Sequence, residues 1–253
     1  MTGLFDDASV IRRVWAAPEL LFGGGRALLM QLAHPSVAAA VAEHSTFRSD
    51  PGARLRHTLE TTSALVYGDG DEARAALRHM RAAHRRVNGR GYAAHDPALQ
   101  FWVHATLVDT ALVVYERFLS PLTDDDAERY YGESVRVAEA LGVPRRAQPH
   151  DLGSFRSYVA ETVQTLEVSA EARQLALAVL HPPTPWTVEP WLVGIRQLTV
   201  GLLPAPLRRQ FGLRWDRPRQ ALFAAAEVAA RQVLPRVPIE LRRLPAAVLV
   251  AAA

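Results

Sequence analysis

Nine histidines occur in the chain, and seven of them fall between His34 and His104, most in segments that read as helix. The series opens with Gly23-Gly24-Gly25-Arg26-Ala27-Leu28-Leu29-Met30-Gln31-Leu32-Ala33-His34-Pro35 and runs through Arg54-Leu55-Arg56-His57-Thr58 to His84-Arg85-Arg86-Val87-Asn88-Gly89. Neutral imidazoles set among apolar helices suit a metal or redox centre, because each ring offers a nitrogen lone pair. His84 stands one turn before Asn88-Gly89, near a helix C-terminus, where it is either an iron ligand held at a fixed angle or a histidine favoured by the helix dipole. Arg54 and Thr58 are four apart and share a helix face, with His57 just before the threonine. A guanidinium beside a hydroxyl suits a bound carboxylate or the polar wall of an oxygen pocket, and a solvated arginine is the plain alternative.

Three further positions are candidates. His34 precedes Pro35, which disfavours helical geometry and predicts a break between two apolar helices. His104 lies beside Trp102 in an apolar segment that also holds Asp109; a buried histidine there either faces a cofactor or has a structural hydrogen-bond partner. Glu43-His44 resembles a base or ligand pair, but adjacent residues point in different directions on a helix. Carboxylate-bridged di-iron bundles need Glu-x-x-His on separate helices, and that pattern is not repeated here.

Composition narrows the chemistry. With 253 residues and 49% hydrophobic content the chain is long enough for a substantial core. Cysteine is absent, which removes disulfides, thiolate catalysis, iron–sulfur clusters and covalent haem attachment through Cys-x-x-Cys-His. There is no lysine, so every cationic side chain other than histidine is arginine, and the formal net charge of +3 gives nucleic-acid binding no compositional support. The N-terminal Met1-Thr2-Gly3-Leu4-Phe5-Asp6-Asp7 is acidic where a signal peptide is basic, so a cytoplasmic location is expected. Apolar stretches at 27–42, 101–115 and 246–253 are interrupted or too short to predict an integral membrane span.

The elements that must position these residues are helices throughout. From Pro18 to about Leu141 apolar residues recur at spacings of three and four, with turn signals between runs. Asp50-Pro51-Gly52 separates a helix ending near Ser45 from one over 53–67; Gly68-Asp69-Gly70-Asp71 ends that one and caps the next. Asn88-Gly89-Arg90-Gly91 closes the third. Asp96-Pro97 starts a helix whose body, 101–118, is apolar nearly all round and so belongs at the centre of a domain. Ser120-Pro121 or Thr123 starts a helix ending at Gly142-Val143-Pro144. Helices are then expected over 151–166, 169–180, 190–203, 207–211 and 218–234, with His181 to Trp186 as a loop. No period-two strand pattern competes, and the absence of repeats and linkers predicts a single domain over 1–253.

There is no P-loop, no Gly-x-Gly-x-x-Gly after a strand and no Gly-x-Ser-x-Gly. The ordered set Gly24 to Pro35, Ala42-Glu43-His44-Ser45, Asp50-Pro51, Arg54-x-x-x-Thr58, Tyr67-Gly68, His84-x-x-Val87-x-Gly89, Tyr92, Asp96-Pro97 and Trp102-Val103-His104-Ala105-Thr106 resembles the MpaB/rubber-oxygenase catalytic domain family, which includes latex-clearing protein. The likeness is dense over about residues 20–145. It implies an all-α, globin-like helical domain around one buried b-type haem, with His84 matching the proximal ligand and Arg54 and Thr58 matching the family's arginine and threonine near the haem. The implied reaction is dioxygenation of an alkene to two carbonyl ends, with an apolar, isoprenoid-type small molecule and dioxygen as partners. The rubber-cleaving branch has a lysine immediately before the threonine and a glutamate upstream as base. Here His57 occupies the first position, and Glu43 is the candidate counterpart of the second, at a spacing from Arg54 that does not itself fix the match. Two rivals stand beside an oxygenase: a haem-binding or haem-sensing protein in which His34 or His104 takes the sixth iron position, and a cofactor-free helical protein that binds a lipid-like ligand.

Overall fold

The computed structural model describes residues 3–44, 51–182 and 189–242, and gives the backbone alone for 51–57, 190 and 191. Among the described residues the helices are, in order, α1 (Val10–Trp15), α2 (Gly24–Ala33), α3 (Pro35–His44), α4 (Pro51–Val66), α5 (Gly70–Arg86), α6 (Pro97–Phe118), α7 (Asp124–Leu141), α8 (Leu152–Thr165), α9 (Ala170–Leu180), α10 (Glu189–Leu202), α11 (Ala205–Gln210) and α12 (Arg217–Val233). The all-α expectation holds, with one exception. Asn88–Gly89 (β1) and Tyr92–Ala93 (β2) pair antiparallel, where the sequence reads as nothing more than a helix stop. Strands this short have no period to recognise, and Gly91 at φ +87° supplies the turn.

Caps set the helix boundaries. The Asp96 carboxylate accepts from the Ala98 amide at 2.7 Å and Pro97 takes the first helical position, so α6 starts where the sequence predicts. Thr123 caps α7, whose first turn carries Asp124, Asp125 and Asp126 against the positive end of the helix dipole. That helix stops at Gly142, whose φ of +112° is the left-handed conformation a C-terminal glycine allows. Asp151, Ser169 and Asp216 cap α8, α9 and α12 in the same way.

The core is built around α6. It packs on α2, α7, α8, α12 and a 3-10 turn, Pro18–Gly23, while α2 also meets α3, α9 and α10. By length and composition α6 could cross a membrane, but more than half of it is buried in the helical core. One apolar cluster reaches from Phe5 to Phe211, and a smaller one joins Val114, Phe118, Leu202 and Phe223.

The glycine-arginine run is explained by close approach. A Cβ on Gly23 would lie 2.4 Å from the Thr110 methyl, and one on Gly25 would lie 2.2 Å from the Thr199 hydroxyl, so the 3-10 turn meets α6 and α2 meets α10 where only glycine fits. Arg26 is thereby inserted into the core. Its guanidinium donates to Asp109 Oδ2 at 2.5 Å, Thr110 Oγ1 at 2.5 Å and the Leu202 carbonyl at 3.0 Å. Gln31 donates to Thr106 Oγ1 at 3.1 Å on the next turns of the same two helices. These polar groups are buried and satisfied, and they tie α2, α6 and α10 together.

Candidate active site

α4 and α5 are joined by three residues, Tyr67-Gly68-Asp69, and therefore form an antiparallel hairpin. The joint is a capping box: Asp69 Oδ1 accepts from the Asp71 and Glu72 amides at 2.8 and 2.9 Å, and Glu72 Oε2 accepts from the Asp69 amide at 3.0 Å. A constant helical rise puts residues equally far from the turn at the same height. Arg54, His57 and Thr58, in the first half of α4, thus stand level with the later turns of α5, where His84 lies. The side chains of Arg54 and His57 fall outside the described residues. Thr58 is half-buried, and its carbonyl accepts from the Thr62 hydroxyl at 2.7 Å.

His84 is half-buried on the last turn of α5 and points at the start of α6. Its Nδ1 lies 3.4 Å from Gln100 Nε2. With the amide nitrogen toward it, Nδ1 accepts and the ring proton sits on Nε2. A half-turn of the carboxamide presents Oε1 instead, and Nδ1–H then donates. That is the usual arrangement behind a ligating histidine.

The end of α3 and the small hairpin complete this end of the molecule. Tyr92 Oη donates to Glu43 Oε2 at 2.6 Å. Burial, then the bond to Glu43 and its negative charge, push the Tyr92 phenol up to about 12, so it stays a donor at neutral pH. His44 Nε2–H donates to the Asn88 carbonyl at 3.2 Å, and its ring meets the Tyr92 ring edge-on at 6.2 Å. Gly89 makes room for this arrangement, since a Cβ there would lie 2.4 Å from the Tyr92 ring. Glu43, His44, Tyr92, His84 and Gln100 thus come from α3, the hairpin, α5 and α6.

The other two histidines have structural partners. His34 is extended (ψ 121°), and the predicted break between α2 and α3 is there. Its Nδ1 accepts from the Ser36 amide at 3.2 Å, capping α3. An amide only donates, so the proton of the neutral ring sits on Nε2 and neither nitrogen offers a free lone pair. Burial lowers the His34 pKa, partly opposed by Asp96 at the start of α6. His104 Nε2–H donates to the Ser134 carbonyl on α7 at 2.9 Å, and burial holds its pKa down to about 4 against a smaller opposing effect of that bond. His104 is one turn beyond Gln100 on α6, neutral at physiological pH and committed to α7 through one nitrogen.

Sequence reading missed Gln100 and Tyr92 as site partners and the Arg26–Asp109 pair as a core element. Gln100 is a single polar residue in the first turn of an apolar helix, which carries no signal of its own. Among the described residues no three His, Asp or Glu side chains gather at metal-holding distance. Two surface clefts, of about 250 Å³ beside Leu112, Leu122 and Arg156 and about 210 Å³ beside Arg117, Arg208 and Trp215, lie apart from these side chains. Both are smaller than the ~300 Å³ at which ligand pockets usually begin.

Two relatives are similar over most of the chain: an uncharacterized protein of Mycobacterium bovis and one of Mycobacterium tuberculosis. Each is 29% identical over 211 residues, covering 78% of this chain and 81% of the relative. No solved structure matches. The model of one family matches residues 12–232, from α1 to the end of α12. By that match the chain belongs to the family described as ER-bound oxygenase mpaB/B'/rubber oxygenase, catalytic domain.

Proposed function

We propose that the protein is a haem b-dependent oxygenase that cleaves a carbon–carbon double bond in an apolar, isoprenoid-type small molecule. The observation that supports this reading is the half-buried imidazole of His84 beside Gln100, at the end of the α4–α5 hairpin that also holds the backbone of Arg54, His57 and Thr58, with the Glu43–Tyr92 pair on α3 and the small hairpin that follows α5. When bound, a b-type haem supplies the iron at which dioxygen is activated. The donor set suits such a group, because a macrocycle brings its own equatorial donors and asks the protein for one axial imidazole.

In this reading His84 would hold the iron, with the Gln100 carboxamide at its Nδ1 orienting the ring. Arg54 and Thr58 are the candidates that would hold the group's polar edge, a guanidinium being suited to a propionate. Glu43, kept in place by the Tyr92 hydroxyl, is the base available to the substrate. The apolar faces of the surrounding helices exclude water and accept a hydrocarbon chain. Each alkene carbon takes one oxygen atom of dioxygen, giving two carbonyl ends with no external reductant. His34 keeps its capping role on α3 in this scheme and would not compete for the iron.

The test is an absorption spectrum of haem-loaded protein, reduced and exposed to carbon monoxide, followed by dioxygen uptake with isoprenoid alkenes. A five-coordinate ferrous spectrum, carbon monoxide binding and carbonyl products are expected. A bis-histidine spectrum without dioxygen uptake would favour a haem-binding or sensing role, and protein that stays colourless after reconstitution would favour a cofactor-free lipid-ligand protein.

A further inference from the structure

From Ala73 to His95 the sequence holds six arginines and no aspartate or glutamate. These six charges exceed the +3 of the entire chain, so the remaining sequence is net acidic. Four of them, Arg74, Arg78, Arg81 and Arg85, follow one another along α5 at spacings of four, three and four. At 100° per residue that spacing confines them to a narrow stripe. All four are exposed, as are Arg86 and Arg90 just beyond, while Ala73, Ala76, Leu77 and Met80 turn toward the core.

Elsewhere several surface arginines are paired with carboxylates, Arg13 with Asp126, Arg117 with Glu227, Arg156 with Glu116 and Arg219 with Asp216, and exposed arginines without an ion pair among the described residues, such as Arg129, Arg209 and Arg217, lie on separate helices rather than in one row. On α5, among the described residues, only Arg74 has such a partner, Asp71. Among the described residues no carboxylate pairs with Arg78, Arg81, Arg85, Arg86 or Arg90, and Arg81 donates to the Ala140 carbonyl at the negative end of α7. A row of uncompensated guanidiniums repels itself. It persists at no stability advantage to the isolated fold, which points to a partner that supplies the negative charge.

We propose that this arginine ridge is a docking surface for an anionic lipid bilayer, with phosphate headgroups as the groups recognised. A straight row on one amphipathic helix matches a flat phosphate-bearing surface, and guanidinium forks bind phosphate oxygens. Nucleic acid fits less well, because the one aromatic residue of the stretch, Tyr92, is buried and no side chain stands ready for base stacking. Because His84 ends the same helix, docking would bring that end of the molecule to the phase in which apolar substrates dissolve. That last link rests on the proposed function, whereas the docking itself does not.

The experiment is vesicle flotation with the full chain, comparing pure phosphatidylcholine with phosphatidylcholine mixed with phosphatidylglycerol. Binding to the mixed vesicles alone is expected, weakening steeply with salt and surviving competing inorganic phosphate. Replacing Arg78, Arg81 and Arg85 together by Gln should weaken partition by on the order of 100-fold, at roughly fivefold per arginine. Replacing Arg129, Arg209 and Arg217, exposed on α7, α11 and α12, removes the same net charge and should leave most binding intact. Circular dichroism checks both variants, and the salt titration of the unmodified chain decides the matter if the ridge variant does not fold. Equal binding to both vesicle types, equal loss in the two variants, displacement by free phosphate, or binding to duplex DNA in place of vesicles would each overturn the proposal.

Discussion

The two ends of the stretch from the glycine run to the small hairpin treat polar side chains in opposite ways. Around α2, α6 and α10, Arg26, Asp109, Thr110, Gln31 and Thr106 are packed out of water, and the contacts they make hold helices together. At the end of α3 and of the α4–α5 hairpin the polar residues are more open: the Glu43 side chain is 54% exposed and that of His44 34%, and the half-buried His84 lies 3.4 Å from Gln100. The first arrangement is saturated and therefore structural. The second retains accessible donors and acceptors, which is what a site for a group from outside requires.

The comparison is sharpest at Arg26. Arg26→Ala leaves the largely buried Asp109 carboxylate without its cation, so unfolding free energy should drop by about 3–5 kcal/mol in a denaturant titration. Replacing both partners with apolar residues of similar size should recover much of that loss, because no uncompensated charge remains.

His104 separates the regions by pH. Its folded pKa of about 4 lies below the usual ~6.5, so between those values the unfolded chain binds the proton first. Stability should therefore fall as pH drops from 6.5 to 4, by roughly 3 kcal/mol at most. His104→Asn keeps a donor for Ser134 without titrating and should flatten that part of the stability–pH curve.

At the site end the expected effects are on binding and ionisation. Gln100→Ala removes the group that orients His84 and should weaken haem affinity about 10- to 100-fold in a competition titration, with the melting temperature little changed. The smallest effect belongs to the hairpin. Gly89→Ala pushes the Tyr92 ring off Glu43, and ultraviolet titration should show the phenol moving from about 12 back toward ~10. The same pair contributes to stability below pH 10, and that contribution is lost as pH rises through the folded value.

Much of the fold was legible because caps and breaks are local. Asp96-Pro97, Thr123, Gly142 and His34-Pro35 each determine a boundary from adjacent residues, and the structure has those boundaries. The hairpin was not legible, because two-residue strands have no alternation and Asn88-Gly89 reads equally as a helix stop. Arg26 was visible as part of a motif, yet its partners Asp109 and Leu202 are 83 and 176 residues away, a distance that periodicity does not span. The candidate site was readable as residue types, with His84 and Glu43 as candidates, while their neighbours Gln100 and Tyr92 emerge only when α3, the hairpin, α5 and α6 are brought together.

The most direct test of the central claim is the pyridine haemochrome of haem-reconstituted wild-type protein beside His84→Ala. The account predicts about one b-type haem per chain in the wild type and little or none in His84→Ala, with circular dichroism unchanged. Full occupancy and an unaltered spectrum in His84→Ala, or a wild type that takes up no haem, would contradict it.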